Sequence, residues 1–89
     1  MYEVEFTPRA RREFEKLALT YRERLAAVIK RLEGNPRPAG VRKLTGVIYR
    51  LRAGDWRIIY AILDKQQRVI VVKIARRSED TYDKVKDLF

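Results

Sequence analysis

Between Val47 and Arg76 the sequence holds three apolar, strand-like runs, Val47 to Arg52, Trp56 to Leu63 and Arg68 to Arg76. They are joined only by Ala53-Gly54-Asp55 and Asp64-Lys65-Gln66-Gln67. Connections this short return each strand beside its predecessor, so the runs are expected as antiparallel neighbours. Such a sheet must bury a face against something else, and the upstream half supplies the partners. Tyr2, Val4 and Phe6 alternate with Glu3 and Glu5, the period of a strand with one buried face. Thr7-Pro8 reads as an N-cap with proline at the first helical position, followed by the apolar stripe Phe14, Leu17, Ala18. Thr20 is placed to cap a second helix, in which Leu25, Val28, Ile29 and Leu32 follow i, i+3, i+4, i+7 until Gly34-Asn35-Pro36 stops it. The two helices are expected to pack as an antiparallel hairpin.

Asn35 to Gly46 reads as a linker, too short to divide domains. Ser78-Glu79-Asp80 reads as the start of a closing helix whose inner face would carry Tyr82, Val85 and Phe89. The expectation is a single α+β domain over residues 1–89: an N-terminal strand, a two-helix hairpin, a three-stranded antiparallel run and a C-terminal helix (β-α-α-β-β-β-α).

Charge narrows the function. Lys and Arg number 21 against 12 Asp and Glu, a net charge of +9, which favours a polyanionic partner. The excess is concentrated: Arg37, Arg42, Lys43, Arg50, Arg52 and Arg57 lie between Pro36 and Arg57, with Asp55 the one acid among them. Arg50 and Arg52 share a strand face, and Arg57 and Arg76 join it if the register allows. Four guanidinium groups would then converge, each able to fork onto phosphate oxygens at any physiological pH. The plainer reading is a polar outer face on a half-buried sheet. That reading is weakest for Arg57, flanked by Trp56 and Ile58, because an arginine in so apolar a strand must snorkel or find a partner. Arg37, Arg42, Lys43 and Arg77 fit either phosphate contacts or solvated loop and edge positions. Tyr49, Trp56 and Tyr60 read as sheet residues, whereas Tyr82 fits either a buried stripe or the edge of the arginine face.

The chain contains no His and no Cys, which removes the commonest general base, the thiolate nucleophile and the usual zinc ligands. Glu79, Asp80 and Asp83 read as helix-start acids rather than metal ligands, so neither a metal nor a cofactor is expected. The N-terminus is strand-like, unlike a signal peptide, and no apolar run approaches membrane-spanning length, so a cytoplasmic protein with no membrane association is expected.

Val4-Glu5-Phe6-Thr7-Pro8, Lys43-Leu44-Thr45-Gly46, the run from Tyr49 to Tyr60 and the tail Ile74 to Tyr82 together resemble the RelE/ParE superfamily of type II toxins over essentially the whole chain. The resemblance implies that fold. Its tail, arginine then tyrosine ahead of a closing helix, is similar to the RelE-like branch, whose members are mRNA interferases cutting messenger RNA in the ribosomal A site. By that likeness Arg57, Arg76 and Tyr82 match the family's catalytic residues, and Arg50 and Arg52 its phosphate-binding positions; Lys43 and Arg77 are added from their charge as candidates for RNA phosphate binding. The implied reaction is a metal-independent endoribonuclease cleavage by 2'-hydroxyl attack on the 3'-phosphate. The implied partners are mRNA on the ribosome and a cognate antitoxin in a hetero-oligomer. Two alternatives remain at this point: a ParE-like toxin that inhibits DNA gyrase without cutting RNA, and a non-toxic nucleic-acid-binding module on the same fold.

Overall fold

The computed structural model describes residues 1–76. The closing helix expected from Ser78, with Arg77, Tyr82, Val85 and Phe89, lies outside the described residues. Within them the order is β1 (Glu3–Phe6), α1 (Pro8–Glu15), α2 (Leu19–Arg31), β2 (Arg42–Thr45), β3 (Ile48–Ala53), β4 (Trp56–Leu63) and β5 (Arg68–Arg76), with a single 3-10 turn at Asp64–Gln66. The expected α+β architecture is present. The strands form one five-stranded sheet in the order β1-β5-β4-β3-β2. β2, β3, β4 and β5 pair antiparallel in sequence, while β1 joins the far side of β5 in parallel. A parallel pair needs a long crossover, and the two helices lie within it.

Three local outcomes differ from expectation. The stretch taken as linker contains β2, which pairs Arg42 with Arg50 and Lys43 with Tyr49; an edge strand rich in charge has no apolar alternation to betray it. α2 begins at Leu19, with Ala18 extended at ψ 149° and no side-chain cap, so Thr20 sits inside the helix. α1 ends at Glu15, short of Leu17 and Ala18; Ala10 is its fully buried residue, and Ala18 is exposed. Thr7 caps as expected, accepting from Ala10 N–H at 3.1 Å.

Both helices cover one face of the sheet. Ala10, Leu25, Ile29 and Leu32 pack there with Leu51, Ala53, Ile58, Tyr60, Ile62, Val69, Val71 and Ile74. Fully burying a side chain of Leu or Ile size contributes about 1.5–3 kcal/mol relative to exposure, so this cluster is the main stabilising term. A second cluster, Ile48, Ile59, Ala61 and Val72 with Leu44 and Ile70, occupies the opposite face, and neither described helix contributes to it. The β3–β4 hairpin closes through Gly54-Asp55 between the paired Ala53 and Trp56. Gly54 has φ +62°, a conformation that a type II′ hairpin turn requires at its first position.

The segment between α2 and β2 is pinned by a polar network. Arg37 forks onto Asp64, donating from Nη1 to Oδ1 at 3.1 Å and from Nη2 to Oδ2 at 2.8 Å. It also donates to the Tyr49 hydroxyl, and its guanidinium lies 5.1 Å from that ring's centroid. Tyr2 donates to Asp64 Oδ1 at 2.6 Å, and the buried Tyr60 hydroxyl donates to Pro36 O at 2.7 Å. Arg37 is thus a structural cation tying the loop to the turn after β4. Burial pushes the Tyr60 phenol well above its ordinary range, so it remains a donor at all working pH values.

The hydrogen bond from Arg37, with that from Tyr2, lowers the Asp64 carboxyl from 3.8 to about 2. A carboxyl depressed by folding stabilises the fold once pH exceeds its unfolded value, and that stabilisation disappears as pH falls through the folded value. Asp64→Asn should therefore flatten the loss of thermal stability between about pH 4 and pH 2, measured by melting at stepped pH. Tyr60→Phe should cost about 1 kcal/mol in denaturant unfolding by orphaning the Pro36 carbonyl; no change would mean that water replaces the hydroxyl.

Candidate nucleic-acid interface

Alternation along β3 sends Tyr49, Leu51 and Ala53 to the helix-covered face and Ile48, Arg50 and Arg52 to the other. Pairing extends the second set. Arg57 stands directly opposite Arg52 across β3–β4, and Arg42 directly opposite Arg50 across β2–β3. Directly opposed residues share a face with Cβ atoms about 4.5–5.5 Å apart, so two arginine pairs lie side by side. Arg50 is only 5% exposed, Arg57 is half-buried, and Arg52 and Arg42 are exposed. The face thus grades from cations set into the apolar cluster around Ile59 to cations at the surface. Such an array suits a chain of phosphates, whose spacing lets successive groups meet successive guanidiniums.

Ala75 stands opposite Arg57 on the other side, across β4–β5, so Arg57 lies between Arg52 and a small side chain. This leaves the guanidinium uncrowded by its β5 neighbour.

The expected convergence of four arginines is corrected in its membership. Arg76 does not share the face of Arg50, Arg52 and Arg57; it pairs with Trp56 on the helix-covered side, its guanidinium 5.3 Å from the indole centroid. Trp56 in turn lies 5.6 Å from the tilted Tyr21 ring, so Tyr21, Trp56 and Arg76 form a row of contacts at the sheet's end. The reason is a register shift in β5 between the partners of Ile59 and Tyr60, which reverses the alternation before Arg76. Lys43 also leaves the arginine face, because its partner Tyr49 points toward the helices. Arg42, which sequence reasoning held evenly between loop and ligand roles, takes the fourth place. The signal that could have found it was the strand hidden in the linker. Tyr82 and Arg77 lie outside the described residues.

Comparison with known proteins identifies the fold and the family. The family model for the ParE toxin of the type II toxin-antitoxin system parDE matches residues 4–81. An Escherichia coli protein described as a RelE-like toxin is 30% identical over 87 residues, covering 92% of this chain and 90% of that protein. Among solved structures, the archaeal RelE-RelB complex from Pyrococcus horikoshii OT3 contains a chain that superposes with a TM-score of 0.80 at 27% identity, covering 88% of this chain and 97% of that one. A chain of the intact E. coli RelBE toxin-antitoxin complex gives a TM-score of 0.76 at 27% identity, covering 89% of this chain and all of that one. With a family model spanning most of its length and relatives matched nearly end to end, the chain belongs to the RelE/ParE superfamily of toxins of type II toxin-antitoxin systems.

Proposed function

We propose that this toxin is a metal-independent endoribonuclease that cleaves translated mRNA on the ribosome. The observation that carries the proposal is the set Arg50, Arg52 and Arg57 on one sheet face, extended by Arg42. Guanidiniums in this arrangement hold a phosphodiester by forked hydrogen bonds and stabilise the extra negative charge of a pentacoordinate phosphorane. In the proposed reaction the ribose 2'-oxygen attacks its own 3'-phosphorus, the bond to the 5'-oxygen breaks, and the products are a 2',3'-cyclic phosphate and a 5'-hydroxyl. Tyr82 takes the 2'-proton. A free phenol has a pKa of about 10, so a neighbouring cation is required to favour the phenolate. Arg57 supplies charge stabilisation from the described face, with Arg52 holding a flanking phosphate and the nearly buried Arg50 adding positive charge behind it. Arg76 acts from the far side of the sheet's end, and Arg77 and Lys43 contribute outer phosphate contacts. An arginine is a poor proton donor, so charge stabilises the leaving 5'-oxygen and a water molecule supplies the proton that makes it the 5'-hydroxyl. Orientation of the mRNA by the ribosome supplies what so weak a base lacks; correct positioning contributes as much as about 7–11 kcal/mol in intramolecular reactions.

The solved RelE relatives in complex with RelB support a cognate antitoxin as partner in a hetero-oligomer. A surface groove lined by Val4, Phe6, Phe14 and Ile29, beside the outer edge of β1, offers apolar area for it. Action on translating ribosomes implies a cytoplasmic site. A second reading has one specific observation in its favour: the matching family model describes a ParE toxin. On that reading the chain poisons DNA gyrase, and its arginine face does no chemistry.

Transcript 5'-end mapping after brief expression separates the two. Cuts inside translated codons that fall at least about 100-fold in Tyr82→Phe and Arg57→Ala support the nuclease. Toxicity that survives both substitutions, with gyrase supercoiling inhibited, supports the second reading instead. Binding to single-stranded RNA should weaken with salt at a log–log slope of about -3 if four phosphates are neutralised, and Arg52→Ala should make that slope shallower by about 0.7. A slope near zero would remove the phosphate-holding role.

A further inference from the structure

One irregularity in β5 decides which way the end of that strand faces. The register steps from Tyr60 opposite Val71 to Ile59 opposite Lys73, so Val72 is the extra residue. Such a β-bulge shifts the alternation of every later side chain by one. Beyond it, Ile74 enters the helix-side core, Ala75 stands beside Arg57, and Arg76 stacks on Trp56. Had the alternation of Val69 and Val71 continued unbroken, Arg76 would share the face of Arg50, Arg52 and Arg57.

The bulge lies where β5 has run past its partner β1, whose last pair is Phe6 with Val71. From there α1 and its cap serve the strand's edge. Thr7 N–H donates to Val71 O at 3.0 Å, and the Thr7 hydroxyl lies 3.5 Å from Val72 O. Glu13 closes the other end: its Oε1 accepts from Ile74 N–H at 3.0 Å, and its Oε2 lies 3.5 Å from Lys73 Nζ. Lys73 is only 5% exposed, and a buried ammonium is tolerated only when paired. One carboxylate therefore holds both the backbone and the side chain of consecutive residues on the far side of the bulge.

We propose that Glu13 is a positioning residue for Arg76: by holding Lys73 and the Ile74 N–H it fixes the bulge, and the bulge fixes Arg76 against Trp56. The part of this inference that concerns cleavage rests on the proposed function; the part that concerns geometry does not.

Trp56 is the sole tryptophan, so its emission and indole NMR resonances report the contact, and Arg76→Ala defines their values when it is lost. Lys73→Met removes the buried charge and leaves the Glu13 acceptor in place, so it should keep the wild-type Trp56 signal. Adding Glu13→Ala in that background, where no ammonium is orphaned, should move the signal to the Arg76→Ala value. Glu13→Gln, which can still accept from Ile74 N–H, should preserve it. A wild-type Trp56 signal in the folded Glu13→Ala, Lys73→Met protein would overturn the inference, whatever its stability. In cleavage, Glu13→Ala should lose activity by up to about 100-fold in the Lys73→Met background and by nothing further when Arg76→Ala is also present in that background. A shifted Trp56 signal with undiminished cleavage would uphold Glu13 as the positioning residue while removing Arg76 from the reaction.

Discussion

The backbone ladder between β4 and β5 runs from Trp56 opposite Arg76 to Leu63 opposite Arg68, and the placement of nearly every other group follows from it. Both strands are buried through their middles: Ile58, Ile59, Tyr60, Ala61 and Ile62 are at most 1% exposed. A strand that feeds an apolar cluster on each face has room for charge chiefly toward its ends, and Lys73 within β5 is accommodated by its ion pair with Glu13. At one end Arg68 pairs with Glu5 of β1. At the other stand Arg57 and Arg76, next to the tight β3–β4 turn. The cationic site thus sits where the ladder runs out and the hairpin brings Arg52 and Arg50 alongside.

Much of this was legible because local signals agreed with the global fold. The limits of β4 and β5 follow from their apolar runs, and α1 from Thr7-Pro8 and Phe14. The stripe Leu25, Val28, Ile29 and Leu32 identified the buried side of α2. What was not legible depended on non-local partners. β2 exists because β3 offers an edge, not because Arg42-Lys43-Leu44-Thr45 has a strand pattern. Arg37 reads as a loose basic residue until Asp64, distant in sequence, is brought within 2.8 Å. The facing of Arg76 was invisible for a sharper reason: a single bulge reverses alternation, and this bulge is held by Glu13 on a helix sixty residues upstream. Period-two reasoning fails at such a point because it assumes an unbroken ladder.

The proposed site is two-sided. Arg42, Arg50, Arg52 and Arg57 occupy one face, and the row of Tyr21, Trp56 and Arg76 occupies the other, with the β3–β4 turn between them. The arginines are held by strands rather than by loops, which limits the reorganisation needed when a phosphate arrives.

The most direct test of the account is end-group analysis of mRNA programmed into purified ribosomes and incubated with the toxin in the presence of a metal chelator. Cleavage in the codon occupying the A site, leaving a 2',3'-cyclic phosphate upstream and a 5'-hydroxyl downstream, is the predicted result. Intact mRNA under the same conditions, or fragments bearing a 5'-phosphate, would contradict it.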